Sequence, residues 1–366
     1  MAKTADYTLG AFTYPRGWFM IARADELGAR PLALRYFGQD FVLYRGESGR
    51  PYLVEAYCPH AGAHLAVNST SYIVRDGEQV SGESIRCPFH GWRFGPDGVC
   101  DEIPYGPCTI PKAARLKTWP VEERAGIVWM WHDPEGGEPD VALPPFAEWA
   151  MGGQGWVRWQ LDDFGQLAVH PVEIVDNMAD IGHMTPIHGS RNVLYFDNEF
   201  AEAKISQSFW AGHRTLVDDD ASAVLSSEAF YTGPGILQAR LGGAHPSLMV
   251  IAHTPVEDGL IRMHHGLMVK IADGEPTQAD LAVARAYQES SRDALAQDVE
   301  IWMNKRPAIN IMQVSCDGPF GKVRVWYQQF YNPRANADAY QRRVAGREIR
   351  VGDHRPEGAR TIAEMV

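Results

Sequence analysis

The sequence is short of cysteine, with only five among 366 residues. An odd and small number disfavours a disulfide framework in a chain of this size and leaves metal binding as the main alternative to plain burial. Positive charge is also in deficit, since 34 Lys and Arg face 46 Asp and Glu and give a net charge of −12. This balance disfavours nucleic acid and anionic membrane surfaces as partners.

Long apolar runs are missing as well. The stretch Ile127–Trp131 is short, whereas a bilayer-spanning helix needs about 20 apolar residues. The first residues also lack the basic segment and apolar segment of a secretory signal. We therefore expect a cytoplasmic protein with no membrane association.

The composition, 45% hydrophobic and 22% charged, is typical of a globular protein. The length predicts two domains. The segment Asp133–Pro145 is rich in Pro, Gly and acidic residues, which is typical of a domain boundary. We place the domains at residues 1–140 and 141–366.

The first third of the chain has β character. Phe41–Tyr44 and Tyr52–Ala56 are short aromatic and β-branched runs on either side of a Gly-containing turn, which predicts a hairpin. Ser71–Val74 and Gln79–Val80 flank an Asp-Gly pair and predict a second hairpin. Ile127–Trp131 is predicted to be a buried strand.

The remainder mixes helices and strands. Helices are predicted around Val172–His183 and around Gln278–Asn304, where apolar residues recur at three- and four-residue spacing. Alternating segments between Lys204 and Lys270 predict a sheet, and Val323–Tyr331 is predicted to be a strand. From Pro333 onward the chain is charged and Arg-rich, which favours a solvated helix and tail over a functional basic patch.

Two similar Cys/His motifs form the first candidate site. Cys58 and His60 are two residues apart, and Cys87 and His90 are three residues apart. Each motif contains a proline that stiffens the loop and a glycine that allows a sharp turn. Two soft sulfurs and two imidazoles fit either tetrahedral zinc or a Rieske [2Fe–2S] cluster, in which two His replace two Cys on one iron.

The symmetry of the two mixed motifs favours the cluster, because zinc motifs more often pair two cysteines. With four ligands assigned, we interpret His64 as a structural residue. The other three cysteines are expected to be buried thiols: Cys100, Cys108 and Cys316.

A second candidate site contains His183 and His188, five residues apart. On an ideal helix they would point about 140° apart, but Pro186 disfavours helical geometry at the residue before it. The helix should therefore end or kink there, and this would bring the two imidazoles together. Two imidazoles and one carboxylate form the facial triad of non-haem iron(II) oxygenases.

Asp180 lies on the same helix face as His183, three residues earlier. If Asp180 serves another purpose, the carboxylate ligand must come from elsewhere, and the predicted helix around Gln278–Asn304 offers two acids, Asp298 and Glu300. Asp298 lies on its apolar face and Glu300 does not. A buried acid needs a partner, and iron would provide one, so we favour Asp298 over Glu300.

Together the two motif sets resemble the Rieske non-haem iron oxygenases. Finer similarity to the oxygenase of 3-ketosteroid 9α-hydroxylases runs from about Tyr14 to Tyr331. It rests on Tyr14-Pro15-Arg16-Gly17-Trp18-Phe19, Arg35-Tyr36-Phe37-Gly38, Leu43-Tyr44-Arg45-Gly46, Trp131-His132-Asp133-Pro134-Glu135-Gly136, Gln297-Asp298-Val299-Glu300-Ile301-Trp302, Asp317-Gly318-Pro319-Phe320 and Trp326-Tyr327.

The resemblance implies an α+β protein with an N-terminal all-β Rieske domain and a C-terminal helix-grip catalytic domain with an antiparallel sheet. It implies a [2Fe–2S] cluster on Cys58, His60, Cys87 and His90, and a mononuclear Fe(II). It also implies a homotrimer in which one subunit's cluster serves the neighbour's iron. Asp180 matches the carboxylate that links the two sites, and Asn177 is placed near the iron without binding it.

The implied reaction is O2-dependent hydroxylation of an apolar, steroid-like substrate, with dioxygen as co-substrate. Electrons would come from a separate NAD(P)H- and flavin-dependent reductase, since no dinucleotide-binding G-x-G-x-x-G follows a strand in this chain. A sterol desaturase or demethylase of the same class is the alternative enzyme. An electron-carrying Rieske ferredoxin and a lipid-binding module with structural zinc are the non-enzymatic readings.

One departure from the family concerns the span between the two Cys/His motifs, which is longer than usual. We assign the extra residues to the predicted Ser71–Val80 hairpin.

Overall fold

The computed structural model describes residues 1–68, 70–151, 155–212, 224–243, 245–272 and 274–364. The described chain forms two compact units. The N-terminal unit contains Phe19–His132 and Gly136–Pro139, and the C-terminal unit contains Met1–Trp18, Asp133–Glu135 and Asp140–Val366.

Eleven short strands are formed by the described residues of the N-terminal part of the fold. They are β1 Gly17–Arg23, β2 Leu32–Tyr36, β3 Gln39–Arg45, β4 Pro51–Glu55, β5 Val80–Ser81, β6 Ser84–Arg86, β7 Arg93–Phe94, β8 Cys100–Glu102, β9 Thr118–Trp119, β10 Val121–Arg124 and β11 Ile127–His132. Their sheets have the orders β1-β11-β10, β2-β3-β4-β9 and β5-β6-β7-β8. The first predicted hairpin is confirmed, because β3 and β4 pair antiparallel with Phe41 opposite Glu55. The predicted buried strand at Ile127–Trp131 is also confirmed as β11.

The predicted Ser71–Val80 hairpin is wrong. The Asn68 side chain accepts the N–H groups of Thr70 and Ser71. The Ser71 hydroxyl accepts the N–H groups of Ile73 and Val74. Such local bonds compete with a strand ladder for the same backbone donors. A hairpin forms further along the chain instead, where β5 pairs antiparallel with β6 and Ser81 lies opposite Ser84.

The described residues of the C-terminal unit form nine strands and five helices. The strands are β12 Trp156–Val157, β13 Asp162–Leu167, β14 Arg191–Ala201, β15 Lys204–Gly212, β16 Val224–Thr232, β17 Ile236–Gly242, β18 Ser247–Glu257, β19 Leu260–Lys270 and β20 Gly346–Val351. The helices are α1 Ala147–Ala150, α2 Pro171–Val175, α3 Gln278–Asn304, α4 Phe320–Gln328 and α5 Ala337–Val344.

All nine strands join one antiparallel sheet with the order β12-β19-β18-β17-β16-β15-β14-β20, and β13 also pairs with β19. The predicted sheet between Lys204 and Lys270 is therefore confirmed, apart from residues 213–223 and 244, which lie outside the described residues. Helix α3 packs on this sheet: Leu295 and Trp302 share a core with Ile261 and Met263. Strands and a long helix in this arrangement confirm the predicted α+β class.

Helix α3 has the predicted bounds, and its ends explain why. Thr277 caps it: its hydroxyl accepts the Asp280 N–H at 3.2 Å, while the Asp280 carboxylate accepts the Thr277 N–H at 2.9 Å. This reciprocal pair satisfies two backbone donors that a helix start leaves free. No proline or glycine interrupts the 27 residues, and Pro307 follows shortly after the last turn.

The helix predicted at Val172–His183 is much shorter than expected. α2 ends at Val175 and continues only as a 3-10 turn over Asp176–Met178. Beyond it, the Asp180 carboxylate accepts the His183 N–H at 3.2 Å, so this donor is engaged outside a helical ladder. The chain therefore leaves the helix before His183.

The strand predicted at Val323–Tyr331 is wrong, because this segment lies mostly in helix α4. Its fully buried residues are Val323, Trp326, Tyr327 and Phe330. Their spacing of three, one and three residues is the helical period, which outweighs the β propensity of valine and aromatic residues.

The chain after Pro333 departs from its prediction in one respect. A helix, α5, is present, but it is followed by β20, which pairs with β14 at the edge of the large sheet. The strand carries Arg347, Glu348 and Arg350, and charged side chains on an edge strand oppose pairing with other chains.

Two of the three remaining cysteines were wrongly predicted. Cys100 is buried, as expected, but Cys108 and Cys316 are exposed. Both lie in irregular segments rather than in helices or strands that pack into a core. Among the residues that are described, no helix combines the length and apolar character needed to cross a bilayer.

Candidate metal centres

The two Cys/His motifs fold into matching loops. In each loop the cysteine N–H donates to the carbonyl oxygen five residues on, at 2.9 Å for Cys58 and 2.8 Å for Cys87. Gly62 and Gly91 donate back to the respective cysteine carbonyl, both at 2.9 Å. Both glycines have a positive φ, +74° and +77°, which explains the glycine at each turn.

The two sulfurs lie side by side and each accepts backbone hydrogen bonds. Cys58 accepts the N–H groups of the residues two and three positions on, and so does Cys87. The hydrogen bond between the sulfurs, together with burial, raises the pKa of Cys58, while the same bond lowers the pKa of Cys87. Two adjacent sulfurs that both accept backbone N–H groups are suited to act as a pair of thiolate ligands.

The two histidines also lie together. The ring centroids of His60 and His90 are 4.7 Å apart, and His60 stacks on Trp92 at 4.4 Å with an angle of 8°. The Nδ1 atom of His90 is buried with no hydrogen-bond partner. A buried ring nitrogen in this state needs an explanation, and a metal ligand role supplies one.

This arrangement fits a two-iron cluster better than a single ion. Four tetrahedral zinc ligands would lie roughly 3.5 Å from one another. No three of Cys58, His60, Cys87 and His90 bring ligand atoms within 4.8 Å of one another. A sulfur pair and an imidazole pair that do not converge on one point match the two ends of a Rieske cluster. The neighbouring His64 accepts two backbone N–H groups at its Nδ1 atom, a structural role of the kind expected.

The second candidate centre brings His183, His188 and Asp298 together. The Asp298 Oδ1 atom lies 3.3 Å from the His188 Nε2 atom and 3.9 Å from the His183 Nε2 atom. One ligand atom from each residue falls within 4.8 Å of the other two. Ligands bound to one iron at right angles would be roughly 3 Å apart. The three donors therefore fit a facial triad with little movement.

The sequence brings these residues together through the break after α2 and through α3. His183 and His188 lie in the turns that replace the predicted helix, with their ring centroids 5.0 Å apart. Asp298 is on the buried side of α3, whereas Glu300 is exposed. The structure thus places Asp298, and not Glu300, beside the histidines.

Neighbouring side chains orient both imidazoles. The His183 Nδ1 atom lies 3.5 Å from the Asp180 Oδ2 atom, and the His188 Nδ1 atom lies 3.3 Å from the Gln297 Oε1 atom. Each Nδ1 atom thus faces a polar side chain away from the centre, which leaves Nε2 toward the metal position. Burial lowers the pKa of His183, but Asp180 and Asp298 outweigh it and leave the pKa above its usual value.

Two further supports of the site were not predicted from the sequence. Gln297 was noted there only as part of the stretch Gln297–Trp302, and its contact with His188 spans 109 positions. Asp176 receives two hydrogen bonds from the Arg324 guanidinium, at 3.1 and 2.7 Å. Because Asp176 begins the segment that leads to His183, this buried ion pair fixes where that segment starts.

An apolar cavity of about 220 Å³ opens onto the second centre. Asn177 lines it together with His183, His188 and Asp298, so the structure places Asn177 beside the triad. The inner faces of strands β15–β18 supply mainly apolar walls, and α3 supplies the opposite wall. The predicted pocket region, Phe209–Met268, includes residues 213–223 and 244, which are outside the described residues.

Comparisons with protein families match both parts of the chain. The Rieske [2Fe-2S] domain matches residues 17–120, and the 3-ketosteroid 9α-hydroxylase C-terminal domain matches residues 130–331. Together these matches cover both candidate centres.

Individual proteins of the same family are similar to this chain over most of its length. A probable 3-ketosteroid-9-alpha-monooxygenase oxygenase component from Rhodococcus rhodochrous is 33% identical, over 90% of this chain and 83% of its own. The oxygenase component from Mycobacterium tuberculosis is 32% identical, over 87% of this chain and 82% of its own. A cholesterol 7-desaturase from Bombyx mori is 30% identical, over 87% and 70%.

Solved structures share the fold. Caffeine-bound NdmA from Pseudomonas putida has a TM-score of 0.65 at 17% identity, covering 93% of this chain and 97% of its own. Dicamba monooxygenase bound to dicamba has a TM-score of 0.63 at 19% identity, covering 90% and 100%. At this identity the likeness concerns the fold alone.

Proposed function

Because the chain belongs to the 3-ketosteroid 9α-hydroxylase family of Rieske oxygenases, we propose that it is the oxygenase component of a multicomponent monooxygenase. Its substrate would be an apolar, steroid-like molecule, hydroxylated with dioxygen. The observation that carries this proposal is the His183, His188 and Asp298 triad, which opens into an apolar cavity in a chain that also has the paired Cys/His loops.

Cys58, His60, Cys87 and His90 would hold a [2Fe–2S] cluster, and His183, His188 and Asp298 would hold Fe(II). When bound, the cluster supplies single electrons and the mononuclear iron supplies dioxygen activation. The cluster residues all lie within 1–140 and the triad within 141–366, which supports assigning these two parts as the Rieske and catalytic domains.

The protein's own contribution is orientation and exclusion of water. Asp180 and Gln297 hold the two imidazoles with Nε2 toward the metal position. The apolar walls remove water from the substrate and leave shape and a few polar groups to fix which carbon faces the triad. Asn177 lies beside the triad on the cavity wall, where a side-chain amide can hydrogen-bond substrate or dioxygen.

Asp180 also supports a trimer. Its side chain is 35% exposed, although it lies beside the buried His183. A charged, accessible carboxylate can accept a hydrogen bond from a histidine of a second subunit. We propose that Asp180 forms this link in a homotrimer, and that a separate NAD(P)H- and flavin-dependent reductase delivers electrons to the cluster.

The test is substrate-dependent oxygen consumption by the iron-loaded protein with NADH and a flavin reductase of this class. A panel of 3-ketosteroids is compared with planar aromatic substrates of similar size. We expect oxygen uptake with 3-ketosteroids and a product that has gained one oxygen atom. Equal or greater uptake with the aromatic compounds would contradict the steroid assignment.

A second outcome has support from one relative, the cholesterol 7-desaturase. A desaturase product would have lost two hydrogen atoms and gained no oxygen. Mass spectrometry of the product separates the two reactions directly.

A further inference from the structure

Three polar residues beside the cavity form a chain of hydrogen bonds that the reaction described above does not use. The His265 Nδ1 atom lies 3.0 Å from the Asp162 Oδ2 atom, and the His265 Nε2 atom lies 3.0 Å from the Ser291 Oγ atom. His265 is fully buried. Ser291 lines the cavity.

The position of His265 is unusual for its strand. Every second residue of β19 faces α3, and the neighbours of His265 on that face, Met263 and Leu267, are buried apolar residues that share cores with α3 side chains. A histidine buried among these apolar residues destabilises the fold unless both of its ring nitrogens have hydrogen-bond partners. Asp162, directly opposite on β13, and Ser291 provide them.

The arrangement has the order of a hydrolytic Ser-His-Asp triad, but hydrolysis is a poor fit. A nucleophilic serine needs nearby backbone N–H groups that stabilise an oxyanion. Ser291 lies in the middle of α3, where the backbone N–H groups bond to carbonyls one turn earlier. The contacts of Asp162, His265 and Ser291 are therefore better suited to fixing the direction of the Ser291 hydroxyl group than to hydrolysis.

That direction follows from the chemistry of the end group. A carboxylate oxygen accepts hydrogen bonds, so the His265 Nδ1 atom carries the N–H that points to Asp162. The Gln288 side chain donates to the same Asp162 oxygen at 3.2 Å, which reinforces its acceptor role. In the tautomer with the proton on Nδ1, the Nε2 atom accepts the Ser291 hydroxyl proton. The close Met249 sulfur, 3.7 Å from the Ser291 Oγ atom, is a much weaker acceptor.

We propose that Asp162, His265 and Ser291 form a relay that makes the Ser291 oxygen a hydrogen-bond acceptor toward the cavity, where it recognises a hydroxyl group of the substrate. The inference rests on the proposed function, because it takes this cavity as the substrate site. Ser291 and Asp298 are seven residues apart on the same face of α3, which is about 10 Å along the helix. The recognised hydroxyl would thus lie at the end of the substrate distant from the attacked carbon.

The test compares ligand binding to the iron-loaded protein by calorimetry without dioxygen, so no turnover occurs. Two pairs of four-ring steroids are used, a 17-hydroxyl with its 17-ketone and a 3-hydroxyl with its 3-ketone. We expect the wild type to bind the alcohol of at least one pair about three- to tenfold more tightly, the value of one hydrogen bond. Ser291→Ala should abolish this preference.

Two further variants separate the relay from a structural role. His265→Leu keeps the Ser291 hydroxyl but removes the acceptor of its proton, so the hydroxyl can donate to the ligand. The affinity for the ketone should then rise relative to the affinity for the alcohol. Ser290→Ala removes the neighbouring hydroxyl on the cavity wall and should leave the preference unchanged. A wild type that binds the ketones as tightly as the alcohols, or a preference that survives Ser291→Ala, would overturn the relay.

A bicyclic pair, decahydronaphthol and its ketone, distinguishes failure of the relay from failure of the steroid assignment. These small apolar probes need no steroid-shaped site. An alcohol preference with this pair, lost in Ser291→Ala, supports the relay even if no steroid binds. Steroid binding with no alcohol preference in any pair leaves the proposed function standing and refutes the relay.

Discussion

Gly318 offers a way to disturb the second centre without touching any of its residues. A Cβ atom at this position would lie 2.0 Å from the carbonyl oxygen of Ala179. Ala179 is fully buried and directly precedes Asp180, which orients His183. The variant Gly318→Ala therefore pushes on the backbone that positions the triad.

The size of the effect follows from the distance. The Ala179 carbonyl must retreat by about 1.4 Å to reach the 3.4 Å of ordinary van der Waals contact. Because the obstacle is backbone and not a flexible side chain, we expect the upper part of the usual range for overpacking, about 2 to 3 kcal/mol. Displacing a residue that orients a metal ligand weakens metal binding by roughly 10- to 100-fold.

Gly321 provides the matched control, because a Cβ atom there meets nothing within 4 Å. It lies in helix α4, where alanine stabilises by up to about 1 kcal/mol relative to glycine. The assay measures iron per chain after dialysis against a weak chelator and the midpoint of thermal unfolding. We expect Gly318→Ala to lose the mononuclear iron, keep its labile sulfide and unfold about 4 to 12 °C lower. If both variants retain iron and unfold at the same temperature, the close approach of Gly318 to Ala179 does not help to position the metal ligands.

Three further predictions concern single residues. Cys87→Ser should remove labile sulfide and visible absorption, whereas Cys108→Ser, at an exposed sulfur, should preserve both; equal loss in the two variants would contradict the cluster assignment. Asp298→Ala should lose mononuclear iron and oxygen uptake but keep the cluster absorption, while Glu300→Ala should retain all three; iron analysis decides between Asp298 and Glu300. Arg324→Met leaves Asp176 buried without its cation, at a cost of about 3 to 5 kcal/mol near neutral pH. Burial raises the pKa of Asp176, an effect that Arg324 opposes, so stability linked to this group is full at acid pH and lost as the pH rises through the raised pKa. The loss in Arg324→Met should therefore shrink on acidification in unfolding experiments, and a loss independent of pH would show that Asp176 is not its source.

Local patterns predicted the elements whose signals lie within a few residues. Helix α3 has its cap, its uninterrupted apolar spacing and its terminating proline in one stretch, and its predicted bounds agree with the structure. The hairpin of β3 and β4 is fixed by a short turn between two β-branched runs. Helix α4 was missed because residue types were weighed above their spacing, which at Val323, Trp326, Tyr327 and Phe330 is helical.

Contacts between distant parts of the chain could not be predicted in this way. The site needs Gln297 beside His188 and Arg324 beside Asp176, pairs that only the folded backbone brings together. The choice of Asp298 was possible because a buried carboxylate on an amphipathic helix needs a partner. No comparable rule identifies a buried ring such as His265, whose partners come from β13 and α3.

The central claim is that one chain holds two separate iron environments, and counting iron and acid-labile sulfide in protein purified without dioxygen tests it most directly. The account predicts about three irons and two sulfides per chain, a two-iron cluster and one mononuclear iron. Folded protein that contains one zinc, or iron without sulfide, would contradict it.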